Sequence, residues 1–251
     1  MPDTATLADR PSQGAIEHVD VLIVGAGISG VGAAYHLTKQ RPGARFAVLE
    51  ALPSFGGTWR KHTYPGIRSD SDLYTFGYRF KPWIGPPIAT ADEILRYMDE
   101  VIEENDLARH IRYSHEISSA KWSSAENRWT IEAKRNGTET VRFTANFLWM
   151  CQGYYRHAQG YTPEWPGMDK FKGPIVHPQT WPETLDLKGK NVIVIGSGAT
   201  AATLVPAIAG DCAHVTLLQR SPTYFIPGRN ENDIANMLRK LDLDEPWIHE
   251  R

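Results

Sequence analysis

Two stretches of the chain share one order of features: a short apolar run, a glycine-rich turn, then small and apolar residues at helical spacing. The first reads Val21-Leu-Ile-Val-Gly25-Ala-Gly27-Ile-Ser29-Gly30, and the second reads Val192-Ile-Val-Ile-Gly196-Ser197-Gly198-Ala199-Thr200-Ala201. Continuous runs of Val and Ile suit strands covered on both faces. The first stretch predicts a strand over Val19–Val24, a helix from about Ile28 to Gln40, and a second strand over Arg45–Leu49. Gly32, Ala33 and Ala34 would face the sheet. The second predicts a strand over 191–195, a helix from about Ala199, and a strand over His214–Gln219.

Between them the pattern changes. Residues 51–90 are rich in Gly, Pro, Tyr and Trp, follow neither period, and read as an ordered loop region of the kind that is functional more often than idle. Thr90-Ala-Asp-Glu93 forms a capping box for a helix carrying Ile94, Leu95, Met98, Val101 and Ile102. Short β-like runs follow at Ile111–Ile117, Ala120–Ser123, Trp129–Lys134 and Thr140–Thr144, with Asn136-Gly137 as a hairpin turn. They predict a small antiparallel meander, followed by a buried strand over Ala145–Cys151. Five prolines between 153 and 189 mark a boundary. Residues 231–251 predict a last amphipathic helix, interrupted at Pro246. The expected fold is α/β: two Rossmann-like dinucleotide-binding units with a small antiparallel β-meander. The divisions are a tail over 1–18, a first domain over 19–153, a linker over 154–189 and a second domain over 190–251.

Composition narrows the classes. In 251 residues, 41% are hydrophobic and 22% charged, which allows a packed core. The net charge of −2 gives no general reason to expect nucleic acid or an acidic membrane as partner. No stretch approaches the roughly 20 apolar residues of a membrane span. The first 18 residues lack the apolar core of a secretory signal, so a cytoplasmic location is expected. Cys151 and Cys212 have neither metal-ligand spacing nor a CxxC neighbour, and read as inert thiols with no metal site.

The candidate chemistry begins with the glycine turns. Gly25 allows a tight turn, Gly27 lets a pyrophosphate approach, and Gly30 lets helix and strand pack; Ala201 is a tolerated third member of the second turn. Each helix N-terminus offers N–H groups and a positive dipole end to phosphates. At the end of the second strand the two units differ. Glu50 suits a ribose diol, whereas Gln219-Arg220 suits a 2′-phosphate. One chain for two unlike dinucleotides implies a flavin enzyme using FAD and NADPH. Arg220 also reads as a solvated surface arginine. After Glu50 comes Phe55-Gly56-Gly57-Thr58-Trp59. Gly56 and Gly57 permit close backbone approach, and Thr58 can donate to a phosphate or ring oxygen. Trp59 reads either as a cover for an isoalloxazine face or as a core aromatic.

Phe171-Lys-Gly173-Pro-Ile-Val-His177-Pro-Gln-Thr-Trp181-Pro182 lies between the turns and matches the FxGxxxHxxxWP fingerprint of the Baeyer–Villiger flavin monooxygenases. The stretch Gly56-Gly-Thr-Trp-Arg-Lys-His-Thr-Tyr-Pro-Gly-Ile-Arg68-Ser-Asp70-Ser-Asp72 resembles the flavin-side segment of that family. The chain is most similar to its ethionamide-activating branch over residues from about 18 to 226. The resemblance implies that Gly25, Gly27, Ser29, Gly30, Glu50, Gly57, Thr58, Trp59 and Asp70 touch or flank FAD, with the backbone of Ile117 near the adenine. Arg68, Ser69, Gly196, Ser197, Gly198, Ala199, Thr200, Ala201, Arg220 and Ser221 would line the NADPH path. His177 would couple domain movement to the flavin. Asp70 would pair with a catalytic arginine that stabilises negative charge on the oxygenated flavin, an electrostatic role.

In the family that arginine belongs to the carboxyl-terminal half. The stretch after Gln219 leaves room for at most one more βαβ step, so the sequence reads as an amino-terminal half. A complementing carboxyl-terminal half is an expected partner. The implied activity is insertion of one oxygen atom from O2 into a ketone to give an ester or lactone, with oxygenation of a thio-substrate as a second outcome. Two further readings stand beside it: an N- or S-oxygenating flavin monooxygenase, and a catalytically inactive dinucleotide-binding module. A disulfide reductase would need a redox cysteine pair that the sequence lacks.

Overall fold

The structure is a computed structural model, and it describes residues 16–250. The tail expected over 1–18 therefore lies almost wholly outside the described residues, and its last two, Glu17 and His18, begin the first strand. In chain order the elements are β1 (Glu17–Val24), α1 (Ile28–Gln40), β2 (Phe46–Leu49), α2 (Thr58–Lys61), α3 (Leu73–Phe76), α4 (Ala91–Glu104), β3 (Ile111–Arg112) and β4 (His115–Ser123). Then come β5 (Arg128–Arg135), β6 (Glu139–Met150), β7 (Asn191–Ile195), α5 (Ala199–Ile208), β8 (His214–Leu218), α6 (Asp233–Lys240) and α7 (Glu245–Glu250). The fold is α/β, with a Rossmann-like sheet and antiparallel strands. The chain divides into two compact units, Met1–Gly57 with Glu100–Tyr154, and Thr58–Asp99 with Tyr155–Arg251.

The first unit holds a six-stranded mixed sheet in the order β3-β2-β1-β6-β5-β4. β1 pairs in parallel with both β2 and β6, while β5 pairs antiparallel with β4 and β6. Val19, Leu22, Ala47, Leu49, Ile131, Ala133, Phe143 and Ala145 form its core. Thr140–Thr144 and Ala145–Cys151, expected as two strands, are one twelve-residue strand. Its first half pairs with the meander and its second half with β1. Ile111–Arg112 was expected in the meander. It pairs instead with β2, because Ser114 at φ 55° turns the chain before β4 begins. Asn136 and Gly137 have φ 51° and 76°, the two positive values a type I′ hairpin turn requires.

In the second unit β7 and β8 pair in parallel, with Ile193 opposite Thr216 and Ile195 opposite Leu218. Leu204 and Ile208 of α5 cover the face that carries Val192, Val194 and Val215. The other face leaves Ile193, Ile195 and Leu218 more than half exposed. The expected loop over 51–90 contains two four-residue helices, α2 and α3, too short for periodicity to reveal. Thr90 and Glu93 form the expected capping box: the Thr90 N–H donates to Glu93 Oε2 at 2.7 Å and the Glu93 N–H to Thr90 Oγ1 at 3.3 Å. Pro246 does not interrupt a long helix. It stands in the first turn of α7, where its missing N–H costs no intrahelical bond.

Candidate functional site

The two glycine turns repeat one backbone design. Gly25 has φ 95° and Gly196 φ 116°. Gly27 and Gly198 cap their helices at φ −74°, ψ −174° and φ −79°, ψ −177°. The Gly25 N–H donates to Leu49 O at 2.8 Å, and the Gly196 N–H to Leu218 O at 2.9 Å. Neither helix has a side-chain cap or an acidic residue in its first turn. Each therefore presents an uncompensated positive dipole end, the feature that favours a phosphate.

Within the first unit, Gly25, Gly27, Gly30, Gly57 and Glu50 come together. A Cβ on Gly25 would lie 2.7 Å from the Cys151 carbonyl oxygen, and one on Gly30 would lie 1.8 Å from that of Gly25. Gly30 thus packs the helix against the turn itself. Gly27 faces Gly57, whose own Cβ would lie 3.1 Å from the Gly27 Cα. Glu50 is buried at 5% exposure, and its carboxylate accepts the Ala26 N–H at 2.7 Å and the Leu52 N–H at 2.8 Å. An ionised carboxylate has about four lone-pair sites, so acceptor capacity remains. Ser29 is exposed on the first turn of α1. Ile117 sits at a β-bulge in the β4–β5 pairing, and its side chain packs on the core.

Within the second unit, Arg220 and Ser221 are exposed just beyond β8, on the loop that returns to the glycine turn. Arg220 has no ion-pair partner among the described residues. Thr200 and Ala201 lie in the first turn of α5, with Ala201 buried. The segment around Tyr64–Ile67 is docked onto α5. Tyr64-Pro65-Gly66-Ile67 makes a type II turn, with Gly66 at φ 78° and the Ile67 N–H donating to Tyr64 O at 3.4 Å. A Cβ on Gly66 would lie 2.5 Å from Thr203 O and 2.7 Å from Ala207 Cβ, so the turn rests directly on the helix. Tyr64 is buried against Leu204 and Ile208. Past this anchor, Arg68 bridges to Thr90, and Ser69 is fixed in both directions with Ala89: its N–H donates to Ala89 O at 2.8 Å and its hydroxyl accepts the Ala89 N–H at 3.1 Å. Arg68 and Asp70 are exposed, and the Asp70 carboxylate accepts the Ser71 hydroxyl at 3.2 Å. Thr58 begins α2, and its carbonyl accepts from His62 Nδ1 at 3.0 Å. Trp59 is half-buried and meets Phe76 edge-on at 6.1 Å.

The fingerprint histidine has a structural task of its own. His177 caps the 3₁₀ turn Pro178–Thr180, its Nδ1 accepting the Gln179 N–H at 3.2 Å. The ring proton of this neutral tautomer is therefore on Nε2. The ring lies over Gly160, where a Cβ would come within 2.2 Å of it. The buried Gln179 side chain donates to Arg156 O at 2.6 Å, so the fingerprint holds residues 156–160 at two points.

Residues 84–237 match the model of the flavin-binding monooxygenase-like family, and residues 23–90 match that of an NAD(P)-binding Rossmann-like domain. The chain belongs to the flavin-binding monooxygenase-like family. It is related to the class B flavin monooxygenases. FAD-containing monooxygenase EthA of Mycobacterium tuberculosis (strain ATCC 25618 / H37Rv) is 52% identical over 226 residues, 89% of this chain and 46% of the relative. Probable FAD-binding monooxygenase AlmA of Acinetobacter sp is 51% identical, over 91% of this chain and 46% of the relative. Among solved structures, a steroid monooxygenase bound to NADP superposes with a TM-score of 0.75 at 33% identity, covering 90% of this chain and 43% of the other. A cyclohexanone monooxygenase bound to ε-caprolactone superposes with a TM-score of 0.77 at 27% identity, covering 94% and 45%. The chain spans about half the length of the curated relatives it matches.

Burial holds His62 below its ordinary pKa of 6.5, against the opposing pull of the Thr58 carbonyl, and the neighbouring His157, Lys61 and His177 lower it further. The two cysteines are free and half-buried, and burial pushes the Cys151 thiol up. Among the described residues no group of three or more His, Cys, Asp or Glu could hold a metal, and no helix is long and apolar enough to cross a membrane. Sequence reasoning missed the Ala26 N–H, Gly160, Gln179 and the Gly66–α5 contact. A Pro-Gly pair signals a type II turn at 65–66, but nothing in the pattern announces its partner.

Proposed function

We propose that the protein is the FAD- and NADPH-binding part of a Baeyer–Villiger monooxygenase. The observation that carries this is the pair of equivalent glycine turns closed by different residues, a buried Glu50 in one and an exposed Arg220 in the other. On this reading 19–153 is the FAD-binding domain, 154–189 the linker and 190–251 the NADPH-binding domain.

The residues fit the groups. The remaining acceptor sites of Glu50 suit a ribose diol; Gly25, Gly30 and Gly57 let the turn, helix and following loop pack closely, and the uncapped start of α1 at Gly27 and Ser29 offers its N–H groups to a pyrophosphate. The family resemblance would add Thr58, Trp59, Asp70 and the Ile117 backbone to the FAD contacts. Gly196, Ser197, Gly198, Ala199, Thr200 and Ala201 receive the second pyrophosphate, with Arg220 and Ser221 on the 2′-phosphate and Arg68 and Ser69 along the path. FAD reduced by NADPH supplies O2 activation and transfer of one oxygen atom to a ketone or a soft sulfur. Asp70 holds negative charge at a fixed place to orient a cationic partner, and His177 positions the linker rather than moving a proton.

A second reading is a catalytically inactive dinucleotide-binding module, which the same two glycine turns would also serve. Flavin absorbance of the purified chain, followed by NADPH oxidation with and without a ketone, separates the two. Ketone-dependent oxidation supports the enzyme; flavin and NADPH binding without turnover supports the binding part; absence of both refutes the cofactor assignment.

A further inference from the structure

The two turns solve one mechanical problem in different ways. In the first unit the loop after β2 is tied to the turn twice: Gly25 N–H to Leu49 O at 2.8 Å, and Ala26 N–H to the Glu50 carboxylate at 2.7 Å. The acid that suits a ribose is thus also a clasp. In the second unit the first tie is kept, Gly196 N–H to Leu218 O at 2.9 Å. Gln219 stands in the place of Glu50, followed by Arg220, and the carboxylate clasp is gone. In its place the hydroxyls of Ser197, at the position of Ala26, and Thr223 are hydrogen-bonded at 2.6 Å.

We infer that Thr223 is a positioning residue that sets the preference of this site for a 2′-phosphorylated dinucleotide. The inference rests on the NADPH reading of the second turn. Leu218 and Thr223 are both tied to the turn Gly196–Gly198, so the four residues between them form a closed loop with Arg220 and Ser221 at its crown. Pro222, with its fixed φ, removes further freedom. An exposed arginine has many rotamers, and ordering its side chain on a phosphate costs free energy. Fixing the backbone beneath it lowers that cost, which is the gain of pre-organisation. The far end of the same connection is held independently, because the Asn230 side chain accepts the Ile88 N–H and donates to Ile88 O, both at 2.8 Å. Breaking the Ser197–Thr223 bond therefore frees the crown without releasing the whole connection. A hydroxyl pair does the work of the Glu50 clasp without placing a carboxylate beside the 2′-phosphate, where it would repel.

The test is equilibrium binding of NADP+ and of NAD+ to the purified full chain and to Thr223→Val, Thr223→Ser, Ser197→Ala, the Ser197→Ala/Thr223→Val double variant and Arg220→Gln. Losing the bond through Thr223→Val is expected to weaken NADP+ about 2- to 10-fold and to leave NAD+ unchanged, whereas Ser197→Ala, which also alters the pyrophosphate turn, is read only through the ratio of NADP+ to NAD+ affinity. Thr223→Ser restores the preference, and the double variant is no worse than either single one. Equal weakening of both dinucleotides by Thr223→Val, or additive single effects on the NADP+ to NAD+ ratio, overturns the inference. Arg220→Gln separates the levels. If it abolishes the preference while Thr223→Val does not, the positioning role fails and the NADPH reading stands. If Arg220→Gln leaves the preference unchanged, the NADPH reading fails and this inference fails with it.

Discussion

Replacing Glu50 with Gln tests whether the acid at the end of β2 holds the first glycine turn in shape. The side chain is 5% exposed and accepts two backbone N–H groups, at 2.7 and 2.8 Å. Hydrogen bonds to an ionised acceptor are worth about 1.5–3 kcal/mol each. Glutamine keeps the shape, but one oxygen becomes an NH2 group that faces an N–H. One bond then falls to neutral strength, about 1 kcal/mol, and one donor is left buried without a partner at a cost of about 1–3 kcal/mol. Relief from burying a charge offsets part of the loss. The net expectation is about 2–4 kcal/mol of destabilisation. With a urea slope of about 2 kcal/mol/M, the unfolding midpoint falls by about 1–2 M. The eight tryptophans provide the fluorescence signal. A midpoint shift under about 0.3 M would refute the idea that this carboxylate braces the turn.

Gly66→Ala places a Cβ 2.5 Å from the Thr203 carbonyl on a backbone at φ 78°, so urea unfolding should show a loss of about 1–3 kcal/mol, against none for Gly43→Ala, where a Cβ meets nothing. Gly160→Ala drives a methyl into the His177 ring. Under the proposed linker role of His177, flavin content of the purified chain stays unchanged and flavin reduction by NADPH slows, whereas loss of flavin contradicts that role. His62 is held below 6.5 by burial, so the folded state disfavours its charged form. Its contribution is present above pH 6.5 and is lost as pH falls through the lower folded value, and His110 acts in the same sense. Urea midpoints measured from pH 7.5 downward should fall more steeply for the native chain than for His62→Asn. Equal pH dependence would remove His62 as a contributor.

The turns and helix starts were legible because their chemistry is local. Gly25 and Gly196 need positive φ, Thr90 and Glu93 satisfy each other three residues apart, and Asn136-Gly137 dictates its own turn. What the pattern hid was long-range. β6 changes partner midway, so its alternation gives way to a continuous apolar run and reads as two strands. Ile111–Arg112 carries a β-like composition, but only the chain reversal at Ser114 sends it to β2. In the site, each glycine turn announced itself, whereas the groups that fasten it did not. The Glu50–Ala26 bond spans 24 positions and the Ser197–Thr223 bond spans 26, and neither follows from a repeat or a spacing rule.

The central claim is that the two turns hold two different dinucleotides at once. The most direct test is titration of NADP+ into the purified chain after it has been saturated with FAD, following bound flavin and bound NADP+ together. The account predicts that NADP+ binds with no release of flavin, each at one per chain. Release of flavin in proportion to NADP+ bound would show a single shared site and contradict it.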